Sequence, residues 1–247
     1  MRIAIMSDIH ANREAFDACL AHAERQGFDR LAFLGDLAGY GADPQYVVDR
    51  VARFAEAGAI VLKGNHDEGA ALGNGAGMNE YARRAIEWTF QTLDEDSRKF
   101  LLGLPFSIEE EERLYVHSDA AMPSDWRYIN DAASAERSMR ATSQRITFCG
   151  HVHIPQLYNM SAQKPAQYFE PKPNTAIPLI GQRQWLAVMG AVGQPRDKNP
   201  AAAYAILDLD KKNLTYFRVA YDMEPTAKKI HAAGLPAMLA ARLFIGR

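Results

Sequence analysis

Five of the seven histidines in the sequence fall in short polar clusters that directly follow apolar runs. The clusters are Asp8-Ile-His10, Gly35-Asp36, Gly64-Asn-His-Asp67, His117 and Gly150-His-Val-His153. Taken singly, each has an ordinary explanation, such as a helix cap, a turn or a buried histidine with a hydrogen-bond partner. Their repetition favours a common role. The other two histidines, His22 and His231, lie on predicted helices and are interpreted as structural.

The side chains in these clusters suit divalent transition metals. The candidate ligands are Asp8, His10, Asp36, Asn65, His117, His151 and His153. Imidazole nitrogens and carboxylate oxygens suit ions such as Mn, Fe, Ni, Co or Zn, whereas a structural zinc site typically has clustered cysteines. Seven ligands are too many for one tetrahedral ion. The economical prediction is therefore a catalytic site in which two ions share one carboxylate.

The first third of the chain has elements that can bring such residues together. Apolar runs of strand length occupy residues 2–7, 30–35 and 59–64, and two segments with helical spacing lie between them. The first carries an apolar stripe from Ala15 to Ala23, and the second begins at Pro44. A βαβαβ order predicts a parallel sheet covered by helices, and ligands of such sheets bind at the carboxyl ends of the strands.

The rest of the chain reads mainly as strands. The pattern predicts strands at 113–118, 145–150, 155–160, 184–193, 203–210 and 214–222, helical segments at 79–102 and 224–244, and a hairpin turn at Asp210–Asn213. We interpret 161–183 as a loop or flap and the acidic run Glu109–Glu112 as a solvated turn. The sequence thus predicts one domain, residues 1–247, with two packed sheets.

Composition and charge exclude some classes of function. Of the 247 residues, 48% are hydrophobic and 23% are charged, which is typical of a globular protein. The net charge of −2 offers no basic field, so nucleic acid is not expected as the main partner. We find neither a secretory signal nor an apolar run long enough to span a membrane. With only two cysteines, a reducing compartment is expected, and the cytoplasm is the predicted location.

The ordered set of motifs resembles the calcineurin-like metallophosphoesterase superfamily. The motifs are DxH at 8–10, GD at 35–36, GNHD at 64–67, His117 and GHVH at 150–153. Further stretches resemble a bacterial and archaeal branch of small single-domain phosphoesterases, namely GDLAGYG at 35–41, LLGLP at 101–105 and GAVGQPRD at 190–197. The resemblance implies an α/β fold, an αββα four-layer sandwich of two mixed sheets flanked by helices.

The resemblance also implies roles for individual residues. One ion would be held by Asp8, His10, Asp36 and His153, and the other by Asp36, Asn65, His117 and His151, with Asp36 bridging them. His66 matches the family's catalytic histidine. Asn65, His66, Asn12 and Arg196 are the expected substrate contacts. The alternative for Arg196 is a surface residue of a turn, and Asn12 is also expected to support the metal ligands without contacting the ions.

Three positions depart from the family's pattern. An Asp three residues after the bridging Asp orients the catalytic histidine in the protein phosphatases of the superfamily, but this chain has Gly39 there. The partner of His66 is therefore undefined. Ser118 and Ala191 replace residues that relatives often have as Gly and Ser. No departure removes a ligand.

The expected activity is hydrolysis of a small phosphorylated substrate. Two divalent ions and two aspartates leave a charge of about +2, which suits a phosphate ester, and a hydroxide bridging the ions would attack phosphorus. His66 would stabilise or protonate the leaving group. The alternatives are hydrolysis of a phosphoanhydride, such as a dinucleoside polyphosphate, and a non-catalytic metal-binding scaffold. The presence of His66 disfavours the scaffold. Loops at 68–80, 119–131 and 161–183 are expected to shape the substrate pocket.

Overall fold

The computed structural model describes residues 1–247 and contains twelve strands and eight α-helices. The strands are β1 Arg2–Met6, β2 Arg30–Phe33, β3 Ile60–Val61, β4 Ser107–Glu110, β5 Arg113–Val116, β6 Ile146–Cys149, β7 Pro155–Ser161, β8 Lys164–Phe169, β9 Ala176–Pro178, β10 Gln184–Met189, β11 Ala202–Asp208 and β12 Asn213–Val219. The helices are α1 Arg13–Gln26, α2 Pro44–Glu56, α3 Asn65–Leu72, α4 Glu80–Thr92, α5 Glu95–Gly103, α6 Ala132–Arg140, α7 Glu224–Ala232 and α8 Ala237–Ile245.

The strands form two six-stranded mixed sheets. The first has the order β3-β2-β1-β11-β12-β9, in which β1, β2 and β3 are parallel. The second has the order β4-β5-β6-β10-β7-β8, in which β5, β6 and β10 are parallel. Each sheet therefore contributes three parallel strands, and the antiparallel strands extend the sheets towards their edges.

Side chains of β1 show how the layers are built. Ile3 and Ile5 belong to the apolar core between the two sheets, whereas Ala4 and Met6 pack under the helices on the other face of the first sheet. This alternation is what a strand buried on both faces requires. On the outer face of the second sheet, Met139 of α6 packs with Leu186 and Val188 of β10. The predicted αββα sandwich is confirmed.

The segment 161–183 is not the predicted loop. It contains β8 and β9, which lie at the outer edges of the second and first sheets. Edge strands have one side open to water, and in β8 only Ala166 is buried. The polar composition of this segment predicts a loop from the sequence, but it also suits a strand at the edge of a sheet.

The helical segments are more divided than the sequence predicts. The segment 79–102 forms α4 and α5, because the carboxylate of Asp94 accepts a hydrogen bond from the amide of Ser97 at 2.7 Å and begins a new helix. The tail forms α7 and α8, separated by a turn that contains Gly234. Helix α6 is not predicted at all. None of the helices is both long and apolar enough to cross a membrane.

Two predicted turns have different outcomes. The hairpin turn is confirmed, because β11 and β12 pair antiparallel on either side of residues 209–212. The prediction of a solvated turn at Glu109–Glu112 is wrong for its first two residues. Glu109 and Glu110 are part of β4, which pairs with β5, and only Glu111 and Glu112 form the turn. An edge strand tolerates these charges because its outer side faces solvent.

Candidate metal centre

The predicted ligands lie at one edge of the two packed sheets. Asp8, Asp36 and Asn65 follow β1, β2 and β3 of the first sheet, and His117 and His151 follow β5 and β6 of the second. The carboxyl ends of parallel strands meet at the same edge, and here the two sheets place these ends against each other.

Two groups of side chains form at this edge. The first group is Asp8, His10, Asp36 and His153, and the second group is Asp36, His117 and His151. Within each group the potential ligand atoms lie within 4.8 Å of one another, and every member is buried. Asp36 belongs to both groups. The geometry therefore offers two adjacent positions for a cation.

In the first group, two histidines face each other through nitrogens that carry lone pairs. Nδ1 of His10 donates to the carbonyl of Ala38 at 3.1 Å, and Nδ1 of His153 donates to the carbonyl of Gln194 at 2.7 Å. In neutral rings the lone pairs are then on Nε2. The two Nε2 atoms lie 3.2 Å apart. Nitrogens that each bind one ion at about 2.1 Å lie about 3 Å apart, so this pair fits a divalent cation.

The second group also has free ligand atoms. Nδ1 of His117 donates to the carbonyl of Leu34 at 2.8 Å, which leaves Nε2 buried without a hydrogen bond. His151 is held the other way round: its Nε2 donates to the carbonyl of Trp126 at 2.9 Å, so Nδ1 carries the free lone pair. The side-chain oxygen of Asn65 is buried and has no hydrogen-bond partner. Buried polar atoms are rarely left unpaired, and a cation would satisfy these.

Asp36 is oriented to serve both groups. Its Oδ2 lies 3.6 Å from Nε2 of His10 and 3.4 Å from Nε2 of His117. Its Oδ1 accepts a hydrogen bond from the amide of His66 at 2.8 Å, which fixes the plane of the carboxylate. One carboxylate thus faces a histidine from each group.

The electrostatics of the site keep most of its imidazoles neutral. Burial lowers the pKa of His10 and of His153 well below the usual value, and it lowers that of His151 to about 3. His117 differs. Burial alone would lower its pKa, but the adjacent carboxylate of Asp36 raises it to about 9. Neutral imidazoles have the lone pair that a divalent cation binds.

Backbone strain is concentrated at the same residues. Positive φ angles, which are uncommon for residues other than glycine, occur at five of the predicted ligands. These are Asp8 (54°), His10 (50°), Asp36 (54°), His151 (66°) and His153 (64°). Strain of this kind is typical of functional sites, where the surrounding structure holds residues in unfavourable conformations. The ligands themselves therefore make sharp turns at this edge, together with Gly35, whose φ is 99°.

The glycine of the GHVH motif allows a close approach of two strand ends. Gly150 does not have a positive φ. A Cβ atom at this position would overlap the hydroxyl of Ser7 and the carboxylate of Asp8. Glycine is required there because the strand ends pass each other so closely.

Comparison with known proteins identifies the family. The model of the calcineurin-like phosphoesterase superfamily domain matches residues 1–212. The chain belongs to this superfamily. It is 33% identical to the uncharacterized protein MJ0912 of Methanocaldococcus jannaschii over 251 residues, which cover 99% of this chain and 98% of that protein. The family predicted from the motifs is confirmed.

Solved structures agree with the family. A metallophosphoesterase from Sphaerobacter thermophilus is 33% identical and superimposes with a TM-score of 0.88 over 100% of both chains. The hypothetical protein PH1004 from Pyrococcus horikoshii shares the fold, with a TM-score of 0.78, 17% identity and coverage of 100% of this chain and 98% of that chain. Metallophosphoesterases are hydrolases, so this chain is an enzyme of that class. Its buried His/Asp groups fit a metal-dependent phosphoesterase.

His66 of this phosphoesterase is positioned by rings and not by a carboxylate. Its imidazole lies 4.4 Å from the ring of Tyr40 and 4.8 Å, edge to face, from that of His10. Its Nδ1 is buried and has no hydrogen-bond partner. A Cβ on Gly39 would overlap this nitrogen, so an Asp could not replace Gly39 without moving the ring. Tyr40, which the motif GDLAGYG contains, is the packing partner that sequence reasoning misses.

Asp67 is a second residue that the sequence analysis leaves without a role. Its carboxylate is fully buried and accepts hydrogen bonds from the amides of Leu37 at 2.8 Å, Ala38 at 3.0 Å and Gly64 at 2.9 Å. These bonds tie the loop after β2 to the start of α3. Asp67 therefore fixes Asp36 and His66 relative to each other, and its place in the GNHD motif is the signal that could have indicated this.

Asn12 is buried behind the metal groups and has no free hydrogen-bonding atom. Its Nδ2 donates to the carbonyl of Gly193 at 2.9 Å and to the hydroxyl of Tyr221 at 3.0 Å. Its Oδ1 accepts from the amide of Ala15 at 3.1 Å and from the hydroxyl of Thr226 at 3.0 Å. The structure therefore places Asn12 where it supports the loop of residues 8–12, and not where it contacts substrate.

We expect Asn12→Ala to lower the free energy of unfolding by about 2–3 kcal/mol, because it removes a helix cap and leaves buried partners unpaired. Turnover should fall as well, since the loop that carries Asp8 and His10 loses its support. Thermal or denaturant unfolding measures the first effect. Asp131→Ala removes only the exposed cap of α6, whose side chain bonds the amide of Ser134, and should cost about 1 kcal/mol without changing turnover. Equal effects of the two variants on turnover would contradict this role.

Arg196 lies beside the first group and over the ring of Tyr40, with its guanidinium carbon 5.7 Å from the ring centroid. Its amide donates to the carbonyl of His153 at 3.2 Å. Its Nη2 donates to the side chain of Gln194 at 3.1 Å and to the hydroxyl of Tyr40 at 3.3 Å. Its Nε is buried without a partner. The guanidinium is close enough to contribute to the lowered pKa of His10 and of His153.

A cavity of about 440 Å³ adjoins the second group. Asn65, His66 and His151 lie at one end of it, next to the metal groups, and its walls come from α3, residues 74–79 and residues 125–128. Two of the three predicted pocket segments, 68–80 and 119–131, therefore line the cavity. The third, 161–183, does not, because its strands lie at the sheet edges.

Proposed function

We propose that this phosphoesterase hydrolyses small phosphomonoesters or phosphodiesters with two divalent transition-metal ions. The observation that carries the proposal is the position of Asp36, whose Oδ2 faces His10 of the first group at 3.6 Å and His117 of the second at 3.4 Å. One ion would be held by Asp8, His10, Asp36 and His153. The other would be held by Asp36, Asn65, His117 and His151.

The ligand set suits Mn, Fe, Ni, Co or Zn, since it combines nitrogen and oxygen atoms without sulfur. When bound, two such ions supply Lewis-acid chemistry: they lower the pKa of a water and neutralise charge on the phosphoryl oxygens. The chain sets the charge of the site. Asp8 and Asp36 offset about two of the four positive charges, which leaves a net attraction for a phosphate ester. The two thiols, Cys19 and Cys149, are buried and take no part.

His66 and Asn65 contact the substrate in this proposal. Both lie at the start of α3 and at the inner end of the cavity. The ring of His66 is held by Tyr40 and His10, so its free nitrogen has a fixed direction. A hydrogen bond or a proton from this ring stabilises the departing oxygen. The amide of Asn65 is able to donate to a phosphoryl oxygen while its oxygen serves as a metal ligand.

Arg196 is the proposed contact for a phosphoryl oxygen. We expect Arg196→Ala to raise KM for a phosphate ester about tenfold or more, with a smaller effect on kcat, because a charge-assisted hydrogen bond contributes about 1.5–3 kcal/mol. Steady-state kinetics measure both constants. Arg140→Ala is the matched control, since Arg140 is exposed on α6 and pairs with Glu136. An unchanged KM in the Arg196 variant would remove this residue from the substrate site.

We further propose that residues 1–247 act as one domain and that the enzyme works in the cytoplasm on a soluble substrate. The apolar core between the sheets, to which Ile5 and Trp185 contribute from opposite sides, supports the first point. The buried free thiols of Cys19 and Cys149 support a reducing compartment.

A panel of substrates tests the proposed reaction. The metal-reconstituted enzyme is assayed with an aryl phosphomonoester, an aryl phosphodiester and a dinucleoside polyphosphate. Hydrolysis of at least one of the first two, lost on chelation and restored by a divalent metal, is the expected result. Hydrolysis of the polyphosphate alone would replace the ester by an anhydride in the proposal.

A further inference from the structure

The cavity beside His66 has an unusual distribution of charge for a protein that binds phosphate. None of its lining residues is a lysine or an arginine. Two carboxylates line it, from Glu68 and Asp125. Asp125 is neutralised by Arg127, whose Nη2 lies 2.6 Å from its Oδ2. Glu68 has neither an ion pair nor a side-chain hydrogen bond, so it leaves the cavity with one unpaired negative charge.

Glu68 lies on the same helix face as a residue of the metal centre. It follows Asn65 by three positions in α3, and residues at this spacing are neighbours on one helix face. Asn65 and Glu68 both line the cavity. The unpaired carboxylate therefore lies one helical turn along α3 from Asn65, which the proposed function places at the metal ions and the phosphate.

Part of the cavity wall is apolar and aromatic, although polar side chains such as Asn74 and Asn79 also line the cavity. The ring of Tyr128 stacks on that of His151 with centroids 4.1 Å apart and an angle of 18°, and Trp126 lies beside it. Leu72 and Met78 also line the cavity. Leu72 is 56% exposed and Tyr128 is 48% exposed, so both side chains are accessible to a ligand in the cavity.

The position of His66 decides which part of the substrate enters this cavity. His66 lies at its inner end and, in the proposed function, acts on the departing oxygen. Arg196, the proposed phosphate contact, does not line the cavity: its guanidinium carbon lies 5.7 Å from the centroid of the Tyr40 ring, and its amide bonds the carbonyl of His153 in the first group. The alcohol part of the ester, and not its phosphate, then extends past Glu68. This step rests on the proposed function.

We propose that the cavity selects the alcohol part of the ester, and that Glu68 is the residue that determines its charge. The preferred leaving group is an uncharged or cationic organic group with a flat apolar face, and an anionic group is rejected. In the reaction the P–O bond to this group breaks, a P–O bond to water forms, and one water proton is transferred to the departing oxygen. A dinucleoside polyphosphate is a poor substrate, because its further phosphates would lie against Glu68 without a cation to pair with.

The experiment uses benzyl phosphates that differ only in their para substituent, which is aminomethyl, methyl or carboxylate. The reacting bond is nearly the same in all three, so the series isolates the remote charge. The expected kcat/KM of the metal-reconstituted enzyme is highest for the cationic ester and exceeds that of the anionic ester about tenfold or more. Comparable values for the cationic and anionic esters would overturn the inference. Hydrolysis of none of the three, under conditions in which metal is bound, would instead overturn the proposed function.

Variants at position 68 assign the selection to this residue. Glu68→Gln should bring the ratio of kcat/KM for the cationic and anionic esters close to one, and Glu68→Lys should invert it. Glu56→Gln is the matched control, because Glu56 is an exposed residue at the end of α2, forms no ion pair and does not line the cavity. In this variant the ratio should stay as in the wild type. A ratio that persists in both Glu68 variants would overturn the assignment.

Discussion

Asp36→Asn is expected to reduce turnover by more than about 100-fold and to lower the content of both metal ions. The carboxylate faces His10 in one group and His117 in the other, so the amide, which is uncharged, weakens both positions at once. Mutation of a residue that only orients a metal ligand typically lowers metal affinity or activity about 10–100-fold. Mutation of a ligand shared by two ions should lower them further. Elemental analysis after reconstitution and steady-state kinetics measure the two effects.

Two controls separate this effect from a general loss of structure. His10→Ala removes a ligand of the first group only, and it should retain more of the metal and of the activity than Asp36→Asn. Asp96→Asn changes a carboxylate that is 96% exposed and should behave as the wild type. Equal metal content and equal turnover in Asp36→Asn and the wild type would contradict the shared position of Asp36.

His66→Ala is expected to keep the metal ions and the fold while losing about 10²–10⁴-fold in turnover. The imidazole is not a member of either metal group, and a positioned acid or base contributes a factor of this size. The loss should be smaller for a nitrophenyl ester than for an alkyl ester, because nitrophenolate departs without a proton. Turnover of both esters and metal content, measured on one preparation, test this.

Two other outcomes of the His66→Ala experiment would contradict the proposed role of His66. Loss of metal in His66→Ala would make His66 a ligand, and equal losses for the aryl and alkyl esters would remove it from the leaving-group step. Tyr81→Phe serves as the control, because Tyr81 is an exposed residue of α4 that contacts neither His66 nor the metal groups. It should match the wild type for both esters.

Much of the metal centre is predictable from the sequence because each ligand directly follows a strand with a strong local signal. The apolar runs of β1, β2 and β6 are short and end at a polar residue, and parallel strands with a common direction bring such ends together. The order of the motifs then gives the family. The core between the sheets follows from the same runs, since residues such as Ile3 and Ile5 alternate with Ala4 and Met6.

The parts that sequence reasoning misses depend on contacts distant in the chain. The strand β8 has polar residues because it lies at a sheet edge, which only the pairing with β7 defines. Tyr128 stacks on His151 because the segment after Asp119 folds back over the site. The spacing of aromatic residues in this segment does not predict that contact. Asn12 carries a local cap signal, but its bonds to Tyr221 and Thr226 join the two ends of the chain.

Anomalous diffraction from crystals of the manganese-reconstituted enzyme tests most directly whether two ions share Asp36. We expect two manganese peaks per chain about 3.5–4 Å apart, one against His10 and His153 and the other against His117 and His151, with Asp36 in contact with both. A single peak at saturating manganese, or two peaks of which only one contacts Asp36, would contradict it.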